Sequence, residues 1–102
     1  MKEELTPVVF RIWKSHPCTC LALFPAIAAD IHGVFCVSYE HVGQHGAADY
    51  DGCIKMTRMA NPDEFRELLK ELHDIGYGDL LLIKRATRKH HDARRNQTQQ
   101  KT

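Results

Sequence analysis

The sequence predicts a small α+β domain: a mostly antiparallel five-stranded sheet in the order β-β-β-β-α-β, with one amphipathic helix packed on it and a disordered basic C-terminal tail. Three observations predict it. Short apolar or alternating stretches bounded by turn residues recur at 7–14, 20–24, 34–39, 53–59 and 80–85. One stretch alone, 62–75, carries apolar residues at helical spacing, and from Ala86 onward no apolar period remains.

Residues 1–6 are polar and read as a flexible N-terminus, and residues 7–85 as one domain. In PVVFRIWK, Val8, Phe10 and Ile12 fall on one face and Val9, Arg11 and Trp13 on the other, a strand with Pro7 at its tolerated first position. The turn 15–19 leads to a second strand, CLALF, closed by Pro25, so the first two strands form a hairpin. The stretch 26–33 suits a short helical turn or a wide loop ending at Gly33. In the third strand Val34, Cys36 and Ser38 face opposite to Phe35, Val37 and Tyr39. The polar loop 40–52 follows, its glycines at 43, 46 and 52 permitting backbone angles closed to other residues. CIKMTRM alternates again as a fourth strand, with Ile54 and Met56 on one face.

Asn61-Pro62-Asp63-Glu64 is a helix start, with Asn as N-cap, Pro at the first position and two carboxylates at the positive end of the dipole. Phe65, Leu68, Leu69, Leu72 and Ile75 form its apolar stripe, and Gly76 its stop. Burying the stripe is worth roughly 8–15 kcal/mol gross, before chain entropy is set against it. The run LLLIKR then predicts a fifth strand, central or covered on both faces. Residues 86–102 form the basic tail, disordered or helical only in its first turns.

At 102 residues there is no room for a second core, and 43% apolar with 26% charged residues is ordinary for a soluble globular chain. The net charge of +1 hides an asymmetry. Residues 84–102 hold seven Lys/Arg against Asp92 alone, a net of +6, which leaves −5 on residues 1–83. A dedicated nucleic-acid module would carry its basic surface on the folded domain instead. With neither a signal-peptide pattern nor an apolar run of membrane length, the expected location is cytoplasmic, with no membrane partner and the cysteines reduced.

The stretch 34–53 holds nearly all the candidate chemistry. His41, His45 and Asp49 lie four apart, with Cys36 and Cys53 flanking them, and His41, His45, Asp49 and Cys53 are the candidates for a metal site. The spacing matches no zinc finger, and Gly43 and Gly46 argue against the helix that would gather it. Cys18-Thr19-Cys20 with His16 is a weaker cluster. A Cys with His41 or His45 and Asp49 draws a triad, yet a strand cysteine in apolar context is usually packing. Gly43 and Gly46 suggest an anion nest, against which a structural turn is the plainer reading. As a set, Tyr39, His41, Gln44, His45, Asp49 and Tyr50 on a glycine-bearing scaffold read equally as a recognition surface and as a hydrogen-bonded network pinning the loop. Nothing in the composition calls for a cofactor.

Residues Ser38, Tyr39, His41, Val42, Gly43, Gln44, His45, Gly46, Ala48, Asp49 and Tyr50 form a Ser-Tyr-x-His-Val-Gly-Gln-His-Gly-x-Ala-Asp-Tyr signature. It resembles that of a family of small uncharacterised proteins from bacteria, phages and mobile elements. Ala22-Leu23-Phe24-Pro25, Asn61 through Leu69, Ile75-Gly76-Tyr77 and Ile83-Lys84-Arg85 are similar to that family too, so the resemblance spans about 8–85. The turn 16–20 and the long tail depart from it. The resemblance brings no catalytic activity or site assignment. By analogy with small proteins of that setting, it implies a non-enzymatic binding protein. In its sharpest form this is an anti-CRISPR-like inhibitor of a host nucleic-acid-processing or defence machine. The net −5 of the body suits a host protein with a basic surface. The alternatives are a small zinc- or thiol-dependent enzyme using His41, His45 and Asp49, and nucleic-acid binding through the basic tail. A sheet edge open to a second copy would make a homodimer.

Overall fold

The computed structural model describes residues 5–17, 19–40 and 44–99. Their strands are β1 (Thr6–Trp13), β2 (Cys20–Ala28), β3 (Cys36–Glu40), β4 (Gln44–Ala48), β5 (Thr57–Met59) and β6 (Leu80–Leu82). Their helices are α1 (Tyr50–Met56), α2 (Pro62–Asp74) and α3 (Arg88–Gln99). The class is α+β as the sequence predicts, with an antiparallel sheet in the order β4-β3-β2-β1-β5. Three helices accompany it among the described residues rather than one. No helix among the described residues is long and apolar enough to cross a membrane.

The period-2 alternation of β1 divides the core as the sequence implies. Val8, Phe10 and Ile12 join Ala22, Phe24 and Tyr39 on one face of the sheet, where α2 lays Leu68 and Leu72. Phe65 of α2 stacks on Phe10 with ring centroids 4.6 Å apart. Val9 lies with Leu21, Leu23 and Cys36 on the opposite face, which Tyr50, Cys53 and Ile54 of α1 cover. The sheet is therefore buried on both sides, and a single helix does not account for its core.

The expected fourth strand over 53–59 divides into α1 and the three-residue β5. Tyr50, Cys53 and Ile54 stand at i, i+3 and i+4, so the residues that alternate as a strand also make a helical face once a second sheet surface needs cover. Thr57 marks the change: its hydroxyl donates to Cys53 O at 2.6 Å and accepts from Arg11 Nε at 2.9 Å. Proline 25 does not close β2. The strand continues to Ala28 through an irregularity between Phe24 and Ala28, where a residue without an N–H fits. Positive φ falls at Gly33 (70°) and Gly76 (121°), not at Gly46 or Gly52, and Gly43 lies outside the described residues.

The helix start at Asn61 forms a full capping box. Its side chain accepts from Glu64 N at 2.9 Å and Glu64 Oε1 accepts from Asn61 N at 2.9 Å. Arg58 clamps the same carboxylate at 2.9 and 2.5 Å. The Arg58 hydrogen bond first, then the Asn61 amide, pull the Glu64 carboxyl from 4.5 to about 2. Because the folded value lies below the unfolded one, this contribution is full above pH 4.5 and fades as pH falls toward 2. Melting curves of the wild type and Glu64→Gln are expected to converge across that window. Ile75 ends the stripe half-exposed, as the C-cap rather than a core residue.

The fifth predicted strand is shorter and placed differently. β6 pairs parallel with the N-terminal half of β1 at the sheet margin, and Leu81 and Leu82 are 42% and 43% exposed, neither central nor covered. The sequence predicts a tail that is disordered or helical only in its first turns; α3 runs from Arg88 to Gln99, while residues 100–102 lie outside the described residues. Its anchor is Arg94, which is buried and donates to Gly33 O and Pro25 O. A Cβ on Gly33 would meet Arg95 Cα at 3.0 Å and Arg94 O at 3.2 Å, so the helix backbone rests against a glycine.

Candidate functional site

The predicted loop 40–52 is mostly regular structure. β3 and β4 form an antiparallel hairpin with Tyr39 opposite His45, Ser38 opposite Gly46 and Val37 opposite Ala47. His41, Val42 and Gly43, between the two strands in sequence, lie outside the described residues, as does the side chain of Gln44. β4 is the end strand of the sheet and pairs only with β3 among the described residues. It carries His45, Gly46 and Ala47 exposed.

The candidate residues separate by burial. Tyr39 has no exposed surface, and its hydroxyl donates to Glu71 Oε2 on α2. Its ring meets His45 edge-on, centroids 4.7 Å apart. His45 Nε2 lies 3.2 Å from the Tyr77 hydroxyl, and Tyr77 stacks on Phe24 at 5.0 Å. A ladder of rings thus ties the hairpin to α2 and to the turn after it, bordering a shallow cavity of about 450 Å³. Tyr50 is 5% exposed, and its hydroxyl accepts from Ala86 N at 2.8 Å. Burial raises its hydroxyl pKa, against the opposing pull of the Ala86 hydrogen bond. Tyr39 and Tyr50 therefore belong to the network that fixes the stretch, and neither presents its ring to a partner. His45 and Asp49 remain at the surface.

On the other side of the hairpin, Trp13 Nε1 donates to Glu40 Oε2 at 2.6 Å beside a cavity of about 350 Å³ that runs along Gly46, Ala47 and Asp49. Asp49 N-caps α1 through its backbone, with its side chain making no capping hydrogen bond. Glu71, Tyr77, Trp13, Glu40 and Ala86 were not readable as members of this site. All but Glu40 are distant in sequence, and only the packing of other elements against this stretch brings them in.

Among the described residues no three His, Cys, Asp or Glu side chains gather as a metal site; His41 lies outside them. Burial pushes the thiols up, Cys20 to about 12 and Cys36 to about 11, and raises Cys53 as well. At neutral pH these groups are protonated and poorly nucleophilic. Each of Cys20, Cys36 and Cys53 is expected to alkylate more slowly with iodoacetamide at neutral pH than a free cysteine does. Site-resolved mass spectrometry checks this, and one fast thiol among them would contradict it.

No family model matches the chain, and searches of curated proteins and of solved structures return no significant match.

Proposed function

We propose that the chain is a non-enzymatic binding protein that takes an extended, basic segment of a partner protein onto the outer edge of β4. The observation that carries this is the character of that edge. Exposed edge strands are normally blunted by Lys, Pro or a bulge. β4 (QHGAA) has no charge, no proline and an unbroken register with β3. In sequence, the flanking residues 20–54 contain Asp30, Glu40, Asp49 and Asp51 and no Lys or Arg. Main-chain pairing would supply affinity, while the acidic surroundings would favour a basic strand and speed its encounter. The resemblance of residues 38–50 to small phage and mobile-element proteins supports the sharpest form, an inhibitor of a host machine whose basic surface handles nucleic acid.

The test is capture from host lysate on the immobilised full chain, with and without nuclease, beside Ala47→Lys. Ala47 is exposed, so lysine is accommodated while it places a positive charge and an edge-blunting side chain on the docking strand. Proteins captured irrespective of nuclease are expected to fall about tenfold in the variant, which corresponds to about 1.4 kcal/mol. Equal capture by both chains would overturn the assignment. Capture that requires intact nucleic acid would replace it with binding through the basic C-terminal segment.

A further inference from the structure

A third cavity, of about 560 Å³, lies between the start of α1 and α3. Arg88, His91, Arg94 and Arg95 of α3 line one side, and Asp49 and Asp51 the other. Arg94 is 3% exposed, yet every partner it has is neutral. Its Nε donates to Gly33 O at 2.8 Å, and its Nη1 donates to Pro25 O and to His91 Nδ1, each at 2.8 Å. A guanidinium cannot accept, so His91 accepts at Nδ1 and its ring is neutral, with the proton on Nε2. No carboxylate of the described residues pairs with Arg94. Its Nη2 makes no hydrogen bond among them. No side-chain nitrogen of the described residues is both enclosed and unpartnered, so Nη2 keeps some exposed surface, and Arg94 itself lines the cavity.

A buried guanidinium that lines a cavity with two uncommitted donors and no carboxylate in ion-pair contact is an arrangement that an oxyanion completes. We infer that this cavity binds a small molecule carrying an oxyanion, carboxylate or phosphate, at one end and a cationic or hydrogen-bond-donating group at the other. The oxyanion takes the Arg94 Nη2 donors with Arg88 beside them. Asp49 and Asp51 face the opposite end, where they repel a second anion and attract an ammonium. His91 offers its Nε2–H, because its other nitrogen is committed to Arg94. Arg95 lies 3.8 Å from Asp92 and contributes positive potential at the rim.

The experiment is a titration of the full chain, followed by amide and guanidinium NMR shifts, with inorganic phosphate, phosphoethanolamine and β-alanine as probes. Sodium chloride at matched ionic strength is the control. Phosphoethanolamine is expected to bind about tenfold more tightly than inorganic phosphate, with shifts confined to Val34, the start of α1 and α3. Asp51→Asn should abolish that advantage while leaving phosphate binding in place. Arg88→Gln, at an exposed position that does not anchor the helix, should weaken both probes about tenfold. Whether β-alanine or phosphoethanolamine binds more tightly identifies the oxyanion, carboxylate or phosphate. Shifts reproduced by chloride, spread over all basic residues, or unaffected by Arg88→Gln would overturn the assignment.

Discussion

Replacing Phe24 by alanine is expected to cost about 3–5 kcal/mol of folding stability, the range for emptying a buried aromatic site. Phe24 has no exposed surface, and it joins two structures at once. Inward it packs with Phe10, Ala22, Leu68 and Leu72, the cluster that holds α2 to the sheet. Outward it is the base on which Tyr77 stacks, and Tyr77 in turn meets His45 of β4. Such a loss is a large share of the 5–15 kcal/mol typical of a domain. Phe24→Leu keeps most of the volume and should cost well under half as much. Urea midpoints of the two variants check the magnitude. The His45 ring resonances check the ladder: they should move toward random-coil positions in Phe24→Ala before global unfolding. A small loss in Phe24→Ala would mean that the hairpin and α2 do not share one core.

Arg94→Leu is expected to release α3 from the sheet and to cost about 2–3 kcal/mol. The change leaves the carbonyls of Gly33 and Pro25 without their donor, and a buried polar group left unpaired costs about 1–3 kcal/mol. Removing a guanidinium that no carboxylate pairs offsets part of that loss. Arg94→Lys keeps the charge but cannot reach both carbonyls with a planar fork, so it should recover only part of the stability. Gly33→Ala offers an independent check. It strains a residue at φ 70° and forces a Cβ against the α3 backbone, while leaving Arg94 intact. Both variants should expose α3 amides to hydrogen exchange. Acidification should act in the same direction. Burial and the neighbouring Arg94 lower the His91 pKa, with Asp51 opposing them and Arg95 and His90 reinforcing them. The unfolded chain therefore takes up that proton first, and the docking contribution is full above pH 6.5 and is lost as pH falls below it.

The sheet and α2 were legible because their signals are local. The alternation of residues 8–13 assigns each side chain to the face it occupies, and Asn61-Pro62-Asp63-Glu64 names the cap that forms. Residues 53–59 misled because seven residues satisfy both periods, and only the need to cover a second sheet face selects a helix. LLLIKR reads as central because apolarity is the sole cue there, whereas its place is set by the vacant half of the β1 edge. For the candidate site, the stretch was visible but not the roles within it. Tyr39 and Tyr50 differ from His45 and Asp49 only through partners 32 and 36 residues away, Glu71 and Ala86. The docking of Arg94 left no mark beyond Gly33, since one arginine in a basic run carries no sign of burial.

Hydrogen exchange across Gln44–Ala48, in the free chain and in the complex with the captured partner, tests the binding assignment most directly. Strand addition predicts that amides of β4 slow by at least tenfold on binding, with the Ala47→Lys chain needing about tenfold more partner for the same protection. Protection that leaves β4 untouched and falls on α2 or α3 would contradict the assignment and move the interface to that helix.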